Sequence, residues 1–185
     1  MKKLAISIIF CCVLFGLNAQ NASEEKPTTK LFYSELGGPG VLFSANLDSR
    51  FNSASRLGLG YRIGLGFAIK NFDGGGYYDK YGEWQYEGPS SYGTIPIGIN
   101  YLFGKEYSTH IFEVGGGATI LTKKVSLYNL DNARSDRGNL IGQATFMYRR
   151  QPINGGFTFR VGFMTVIGTG GDFLPSGAIG FGYSF

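Results

Sequence analysis

A strict two-residue alternation from Arg56 to Ile69 constrains this chain more than any other feature. Every odd position in that stretch, beginning with Leu57, is apolar or aromatic, and every even position is Gly, Ala or Arg. Successive side chains of a β-strand point to opposite sides, so this period predicts a strand with one apolar face and one polar face. The same alternation recurs at 94–103, 143–149, 157–167 and 179–185.

Composition favours a β-rich fold over a helical one. The 185 residues include 30 glycines, 16 phenylalanines and 12 tyrosines. Glycine in a helix interior costs roughly 1 kcal/mol relative to alanine, which disfavours a helix-rich fold. The hydrophobic fraction of 43% excludes a disordered chain, and the length suits a single domain.

The first 19 residues are interpreted as a cleaved secretory signal peptide. Two lysines follow Met1, and an apolar stretch then runs from Leu4 to Leu17. This stretch is too short and wrongly flanked for a membrane span. We place the cleavage after Ala19, with Ala22 as the alternative, and residues 20–29 then form a short N-terminal tail.

Both cysteines of the chain, Cys11 and Cys12, lie inside this leader. The mature chain therefore has no disulfide or thiol chemistry, and the residue before Cys11 is Phe10, which argues against lipidation. Part of the net charge of +4 also belongs to the leader. No basic run remains that is typical of nucleic-acid binding, so nucleic acid is not an expected partner.

The mature chain has the segment pattern of a transmembrane β-barrel, in which alternating segments of about ten residues are separated by turns. Counting back from Phe185, long and short connections alternate, as do the outer loops and periplasmic turns of such barrels. The long ones lie at 71–91, 123–138 and 168–176, and the short ones at 48–55, 104–107 and 151–155. The sequence therefore predicts an all-β fold, an eight-stranded antiparallel up-and-down transmembrane β-barrel over residues 30–185.

The strand count depends on residues 30–49, which contain Gly37-Gly38-Pro39-Gly40. We interpret these four residues as a tight outer turn between strands at 30–36 and 41–49. The alternative is one kinked strand over 30–49, which leaves seven strands and the wrong parity. Pro96 has no N–H for a closed sheet, so we expect a bulge or a strand start there.

Aromatic residues fall at the ends of the predicted strands. A soluble protein could bury the apolar faces in a core, but rings at both ends of the segments favour the aromatic girdles of a spanning barrel. One rim comprises Phe51, Tyr101, Phe103, Tyr107, Tyr148 and Phe185, and the other Phe72, Tyr77, Tyr78, Tyr92 and Phe173.

The stretches Glu35–Gly40, Ile95–Gly104 and His110–Gly117, with an aromatic chain end, carry a family resemblance. The chain resembles small eight-stranded outer-membrane barrels of the OmpA/OmpX type, and more closely outer-membrane barrels of Bacteroidota. This resemblance implies an integral outer-membrane location and contacts with membrane lipid and lipopolysaccharide. The ending is similar to the C-terminal assembly signal of outer-membrane proteins, matched by Gly180, Tyr183 and Phe185. That signal implies strand addition to the outer-membrane assembly machinery during biogenesis.

Turning the apolar faces to lipid brings the charged side chains into the barrel interior. An eight-stranded barrel is just wide enough for side chains to fill, and buried charges need partners. We predict that Glu35 and Glu113 pair with Arg62 and Arg160 in a network that plugs the lumen, the alternative being a wet lumen with solvated charges. The network residues are Glu35, Arg62, Glu113, Arg149 and Arg160.

The longest loop, 71–91, is the best candidate for binding an external ligand. Its aromatic residues and scattered acids among glycines can stack on sugars or contact a protein partner. The alternative is a solvated barrel rim. The candidate binding residues are Tyr77, Tyr78, Tyr81, Trp84 and Tyr86.

A structural or interaction role is the favoured function, with another outer-membrane protein as a candidate partner. One alternative is an outer-leaflet enzyme resembling a lipid A deacylase, built on Ser108 and His110, and another is a narrow channel for small solutes. The enzyme is disfavoured because Ser108 and His110 adjoin a periplasmic turn and Glu113 lies on the opposite strand face. No metal or cofactor is expected, because no calcium-loop spacing occurs and Gly74–Gly76 has no strand–helix context.

Overall fold

A computed structural model describes residues 27–70, 75–125, 138–167 and 173–185. The predicted signal peptide at 1–19 and most of the tail at 20–29 lie outside these ranges. No helix in the described ranges is long and apolar enough to cross a membrane.

The described residues include ten β-strands. Their bounds are β1 Lys30–Leu36, β2 Phe43–Arg50, β3 Gly58–Lys70, β4 Gly75–Tyr78, β5 Trp84–Glu87, β6 Ser90–Gly104, β7 His110–Val125, β8 Gly138–Arg150, β9 Gly156–Ile167 and β10 Phe173–Ser184. Eight of these strands close into a barrel in the order β1-β10-β9-β8-β7-β6-β3-β2, and β4 pairs with β5 in a separate hairpin. All pairs in the barrel are antiparallel, so the predicted eight-stranded up-and-down barrel is confirmed.

The alternation of the sequence places polar side chains inside the barrel and apolar side chains outside. On β3 the Arg62 side chain is 0% exposed, whereas its outward neighbours Ile63 and Leu65 are 46% and 69% exposed. This distribution is the reverse of that in a soluble barrel, whose apolar faces point inward. An apolar belt surrounds the wall and includes Phe32, Leu47, Leu59, Phe67, Ile97, Ile99, Val114, Phe146, Phe163, Ile179 and Phe181.

The first and last strands close the barrel. Lys30 and Phe185 exchange two backbone hydrogen bonds, with N···O distances of 3.0 and 2.9 Å. The β1–β10 ladder then continues to the pair Leu36↔Ile179. Residues 30–49 form two strands joined by a turn, rather than one kinked strand.

The expectation for Pro96 is wrong. Pro96 lies inside β6, which begins at Ser90, and the β3–β6 register is the same on both sides of it. The β6–β7 ladder continues through the pair Pro96↔Thr119. The β3–β6 ladder, in contrast, has no pair at Ile95 or at Pro96. A proline has no N–H to donate, and the sheet accommodates this by losing bonds to one neighbour without a bulge.

Two predicted connections contain more structure than the sequence indicated. The connection predicted at 168–176 ends earlier than expected, because β10 already begins at Phe173. The connection at 71–91 contains the β4–β5 hairpin and the first residues of β6. Tyr92, expected in an aromatic rim, lies in the barrel interior and is 6% exposed, and Phe72 lies outside the described residues.

Candidate functional site

The barrel interior holds a network of buried charges centred on Glu113 of β7. Its carboxylate is paired with Arg149 of β8, lies 3.0 Å from Arg160 Nη2 of β9 and 3.8 Å from Arg62 Nη1 of β3. Glu35 of β1 lies 3.5 Å from Arg160 Nε. The structure thus brings the five sequence-predicted network residues together, with Glu35 paired to Arg160 and Glu113 shared by three arginines.

Sequence reasoning missed three further members of the network, Asp48, Arg50 and Asn100. Asp48 Oδ2 lies 3.0 Å from Arg149 Nη2, and Asp48 also pairs with Arg50 on its own strand. Asn100 Nδ2 donates to Glu113 Oε1 at 3.2 Å, and Asn100 Oδ1 accepts from Arg50 Nη2 at 2.6 Å. Each of the three carboxylates therefore contacts at least one arginine, as buried charges require.

Asp48 belongs both to the predicted strand at 41–49 and to the predicted turn at 48–55. The strand assignment is confirmed, and the start of the turn at residue 48 is wrong, because β2 runs to Arg50 and Asp48 is buried within it. The polar alternation of β2 through Ser44 and Asn46 continues to Asp48, and this was the signal that could have identified it.

The turn between β1 and β2 folds into the barrel interior. Residues 38–40 are buried. Thr119 Oγ1 donates to the Pro39 carbonyl oxygen at 2.6 Å, and Thr94 Oγ1 donates to the Gly40 carbonyl oxygen at 3.0 Å. The predicted tight turn is therefore present, but it points inward over the charge network.

We call residues 38–40 the inserted turn. Two residues in it or directly after it, Gly38 and Val41, have an unusually close contact or an unusual backbone conformation. A Cβ added at Gly38 would overlap the Glu35 carboxylate, so a larger residue here would displace that side chain from its present position. Val41 has a φ of 75°, which is rare for a β-branched residue. Its side chain packs against an apolar cluster in the interior beyond the turn, formed by Ala68, Tyr92, Leu121, Ile141, Met164 and Val166.

At the other end of the network, polar side chains connect the wall to the residues before β1. Arg56 Nη2 donates to the Gln151 carbonyl oxygen at 2.6 Å. Gln151 Nε2 donates to the Thr28 carbonyl oxygen at 3.2 Å, and Gln151 Oε1 accepts from Arg149 Nη1 at 3.4 Å. Arg56 and Gln151 are both buried, so hydrogen-bonded side chains lie at this end of the interior.

The β4–β5 hairpin displays three exposed aromatic rings on one face. Tyr78 pairs with Trp84, with ring centroids 4.9 Å apart in an edge-on arrangement. Tyr86 lies two residues beyond Trp84 and therefore on the same face. Tyr78, Trp84 and Tyr86 are 70%, 56% and 72% exposed, and we call them the aromatic face. A Cβ added at Gly76 would lie 2.5 Å from the Trp84 ring, so the glycine makes room for the indole.

Asp79 organises the turn of this hairpin. Its Oδ1 accepts from the backbone N–H groups of Tyr81 at 2.9 Å and Glu83 at 3.0 Å. These bonds, above all the one from Glu83, lower the pKa of Asp79 below its ordinary range. Tyr81 lies in the turn, where Lys80 Nζ is 4.8 Å from its ring centroid, and Tyr77 lies on β4 paired with Gln85. Of the five predicted loop residues, three thus form the aromatic face.

Ser108 and His110 are not arranged as a nucleophile and its base. The Ser108 hydroxyl oxygen accepts from the His110 backbone N–H at 3.1 Å, and His110 Nδ1 lies 2.6 Å from the Tyr148 hydroxyl. Glu113 belongs to the interior network instead. In the part of the chain that the structure describes, no group of three or more His, Cys, Asp or Glu residues is placed to hold a metal ion.

The chain end completes β10 and its pairing with β1. Gly180 is buried, and the Tyr183 and Phe185 side chains are exposed on the outside of the barrel.

No family model matches the chain, and no curated protein matches it. Among solved structures, the chain is similar to the N-terminal β-barrel domain of Pseudomonas aeruginosa OprF, with a TM-score of 0.50 and 9% sequence identity. The match covers 86% of this chain and 100% of that one. At this identity the similarity shows the fold alone, an eight-stranded barrel of the OmpA/OprF-like kind.

Proposed function

We propose that the protein is an integral outer-membrane barrel with a structural or interaction role and no enzymatic activity. The distribution of side chains supports this proposal more than any other observation. Outward residues such as Leu65 and Phe163 are 69% and 75% exposed, whereas inward Arg62 and Glu113 are 0% exposed. Bilayer hydrocarbon covers such an apolar belt, and a barrel satisfies its backbone hydrogen bonds without water. The OmpA/OprF-like fold is consistent with this location.

Folding with and without an amphiphile tests this location. The mature chain is refolded into detergent micelles and, in parallel, diluted into detergent-free buffer. We expect β-sheet circular dichroism and a heat-sensitive compact band on gels only with detergent, because water does not solvate the apolar belt. A folded monomer in plain buffer overturns the proposal.

We further propose that the lumen is closed. Three groups of interior contacts support this: those of the inserted turn at 38–40, those of the charge network, and the Arg56–Gln151 contact. The expected result in planar bilayers is no steady conductance from the wild-type protein. The variant Arg62→Ala/Arg149→Ala, which removes two large interior side chains, serves as the more open control. Steady wild-type conductance contradicts closure.

We propose that the aromatic face of the β4–β5 hairpin is presented outside the cell and stacks on sugar rings of lipopolysaccharide. Exposed aromatic rings offer flat apolar surfaces beside polar groups, the combination that sugar rings match. The chain has one tryptophan, Trp84, so its fluorescence reports on this face directly.

Titration with a lipopolysaccharide-derived oligosaccharide tests the hairpin. We expect Trp84 emission to shift on binding and Tyr86→Ala to weaken binding about fivefold, through loss of one stacking ring. Tyr81→Ala changes a tyrosine outside the aromatic face and serves as the matched control. Emission that stays constant throughout the titration contradicts this part of the proposal.

Gly180, Tyr183 and Phe185 are proposed to engage the assembly machinery during biogenesis, and the rim to contact another outer-membrane protein. Phe185→Ala removes the aromatic ring and keeps the backbone hydrogen bonds with Lys30. It is therefore expected to lower the amount of barrel assembled in cells, with refolding into detergent unchanged. Equal amounts of assembled protein contradict the first role. Co-purification of the native protein from mild detergent tests the second, and recovery of the barrel alone contradicts it.

A further inference from the structure

The barrel wall is lower at the seam between its first and last strands than elsewhere. β1 ends at Leu36, whereas β10 runs on past Ile179 to Phe173 with β9 as its partner. Among the described residues, none pairs with 173–178 on the β1 side of β10. At about 3.4 Å per residue, these six residues border a notch roughly 20 Å long.

The β1–β2 turn does not fill this notch. Residues 38–40 turn into the barrel interior, where Thr119 and Thr94 bind their carbonyl oxygens. At the lower edge of the notch, Gly37 lies against β10, and a Cβ added there would be 2.3 Å from the Gly177 carbonyl oxygen. The opening therefore begins directly beyond Gly37.

A proline faces the notch at the position where an N–H would otherwise be left without a partner. Lys30 and Phe185 exchange both backbone hydrogen bonds, and bonded positions recur at every second residue of an antiparallel ladder. Gly177 and Pro175 therefore direct their backbone toward the notch. Pro175 has no N–H, so a strand docking here finds a donor missing, whereas a hydrocarbon chain needs none.

An apolar groove lies on the outer wall beside the notch. Leu36, Val161, Phe163 and Ile179 form its sides, and Gly177 is part of its floor. A Cβ added at Gly177 would make an ordinary van der Waals contact with the Gly162 carbonyl oxygen, at 3.9 Å, so the floor accepts a side chain without a clash. No charged side chain lines this seam groove, which is continuous with the apolar belt.

We propose that the seam groove binds one acyl chain of a membrane lipid in preference to the rest of the wall. This inference rests on the proposed membrane location and adds a single preferred lipid site to it. Hydrophobicity alone does not distinguish one apolar surface from another inside a bilayer, so the preference comes from van der Waals contact. A groove contacts a hydrocarbon chain from several sides, whereas the convex wall contacts it from one. The apolar walls and the missing N–H at Pro175 favour an acyl chain over a partner strand.

Fluorescence quenching in detergent micelles tests the site, because there a phospholipid competes with detergent for the wall. Two single-tryptophan proteins are made in a Trp84→Phe background, Phe163→Trp in the groove and Val114→Trp on the fully paired wall. Phe163 on β9 pairs with Phe146 on β8, and Phe146 pairs with Val114 on β7. The two tryptophan probes therefore lie in the same row of the sheet, across the strands. Phosphatidylcholine with brominated acyl chains is the quencher.

We expect the groove tryptophan to be quenched at about fivefold lower lipid concentration than the wall tryptophan, a preference of about 1 kcal/mol. Gly177→Leu fills the groove and is expected to abolish the difference. Gly116→Leu is the matched control, since a Cβ at Gly116 also meets only a carbonyl oxygen at contact distance, but Gly116 lies on β7, away from the groove. Native mass spectrometry of wild type and Gly177→Leu is expected to show one retained lipid in the former and none in the latter.

Equal quenching of the two tryptophans in a folded barrel overturns the lipid site and leaves the membrane location intact. Failure of the barrel to fold in micelles overturns the membrane location and the lipid site together. A dimer cross-linked through cysteines placed at Gly177 overturns the lipid site in favour of a second copy of the chain.

Discussion

Arg149 on β8 crosses the barrel interior to Asp48 on β2, with Nη2 3.0 Å from Asp48 Oδ2. β8 and β2 are not neighbours in the closed sheet, so this contact spans the lumen. The same guanidinium also pairs with Glu113. Removing one partner of a buried ion pair leaves an uncompensated charge, so single substitutions in this network are expected to be among the most costly in the chain.

Glu113→Gln is expected to destabilise the barrel by about 3 kcal/mol, because three arginines lose their shared carboxylate. Denaturant unfolding in lipid vesicles, followed by circular dichroism, measures the change. Glu83→Gln changes an exposed glutamate in the hairpin turn and is expected to leave the midpoint unchanged. An unaltered midpoint for Glu113→Gln argues that the lumen is wet and its charges solvated.

Gly37→Ala and Gly58→Ala form a matched pair that tests the seam. Both glycines have positive φ, 72° and 91°, but only at Gly37 does an added Cβ meet backbone, the Gly177 carbonyl oxygen. Gly58→Ala is expected to cost about 1 kcal/mol for its backbone conformation, and Gly37→Ala about 3 kcal/mol through the added clash. Equal losses in the unfolding experiment contradict the described contact between Gly37 and β10.

Thr119→Val removes the hydroxyl that binds the Pro39 carbonyl in the inserted turn. Burying that carbonyl without a donor is expected to cost about 1–2 kcal/mol in unfolding free energy. Thr165→Val is the control, because the Thr165 hydroxyl makes only a 3.5 Å contact with the carbonyl of the next residue. The same loss for both variants contradicts a role for Thr119 in holding the turn inside the barrel.

The hairpin turn is expected to loosen in acid through Asp79. Its pKa is lowered in the folded turn from an ordinary value of 3.8, chiefly by the backbone N–H of Glu83. A lowered pKa means that the folded turn binds protons less readily than the unfolded one. The stabilisation is therefore complete above pH 3.8 and declines as the pH falls below that value toward the folded-state pKa. Trp84 emission against pH measures this, and Asp79→Asn is expected to remove the transition. An identical profile in both proteins contradicts the role of Asp79.

The strand count and the inward or outward direction of most wall residues could be predicted from the sequence. The directions follow from the period of two, which is a local property of a strand. The strand count also required a turn at Gly37-Gly38-Pro39-Gly40 and an even number of strands. Arg62 and Ile63 take opposite faces simply because they are adjacent on β3. The same rule brought Glu35, Glu113 and Arg160 into one interior, although it could not say which pairs they form.

The remaining features depend on contacts between distant parts of the chain. The inward course of residues 38–40 depends on hydroxyls of Thr94 and Thr119 on β6 and β7, which no local pattern connects to the turn. Asp48 lies where the predicted strand at 41–49 and the predicted turn at 48–55 overlap, and no local pattern connects it to its partner Arg149, 101 positions away. The hairpin at 75–87 is rich in glycine and tyrosine, and its alternation is too short to separate it from a loop.

The long sequence separation of Asp48 and Arg149 bears on how such a barrel is assembled. In a sheet that has not yet curled, β2 and β8 lie far apart, so Asp48 has only Arg50 of its own strand as an arginine partner, and Arg149 has only Glu113 of the neighbouring strand as a carboxylate partner. Carrying such incompletely paired charges into hydrocarbon is unfavourable. We therefore expect closure and entry into the bilayer to be coupled, because the contact between Asp48 and Arg149 forms only when the barrel closes.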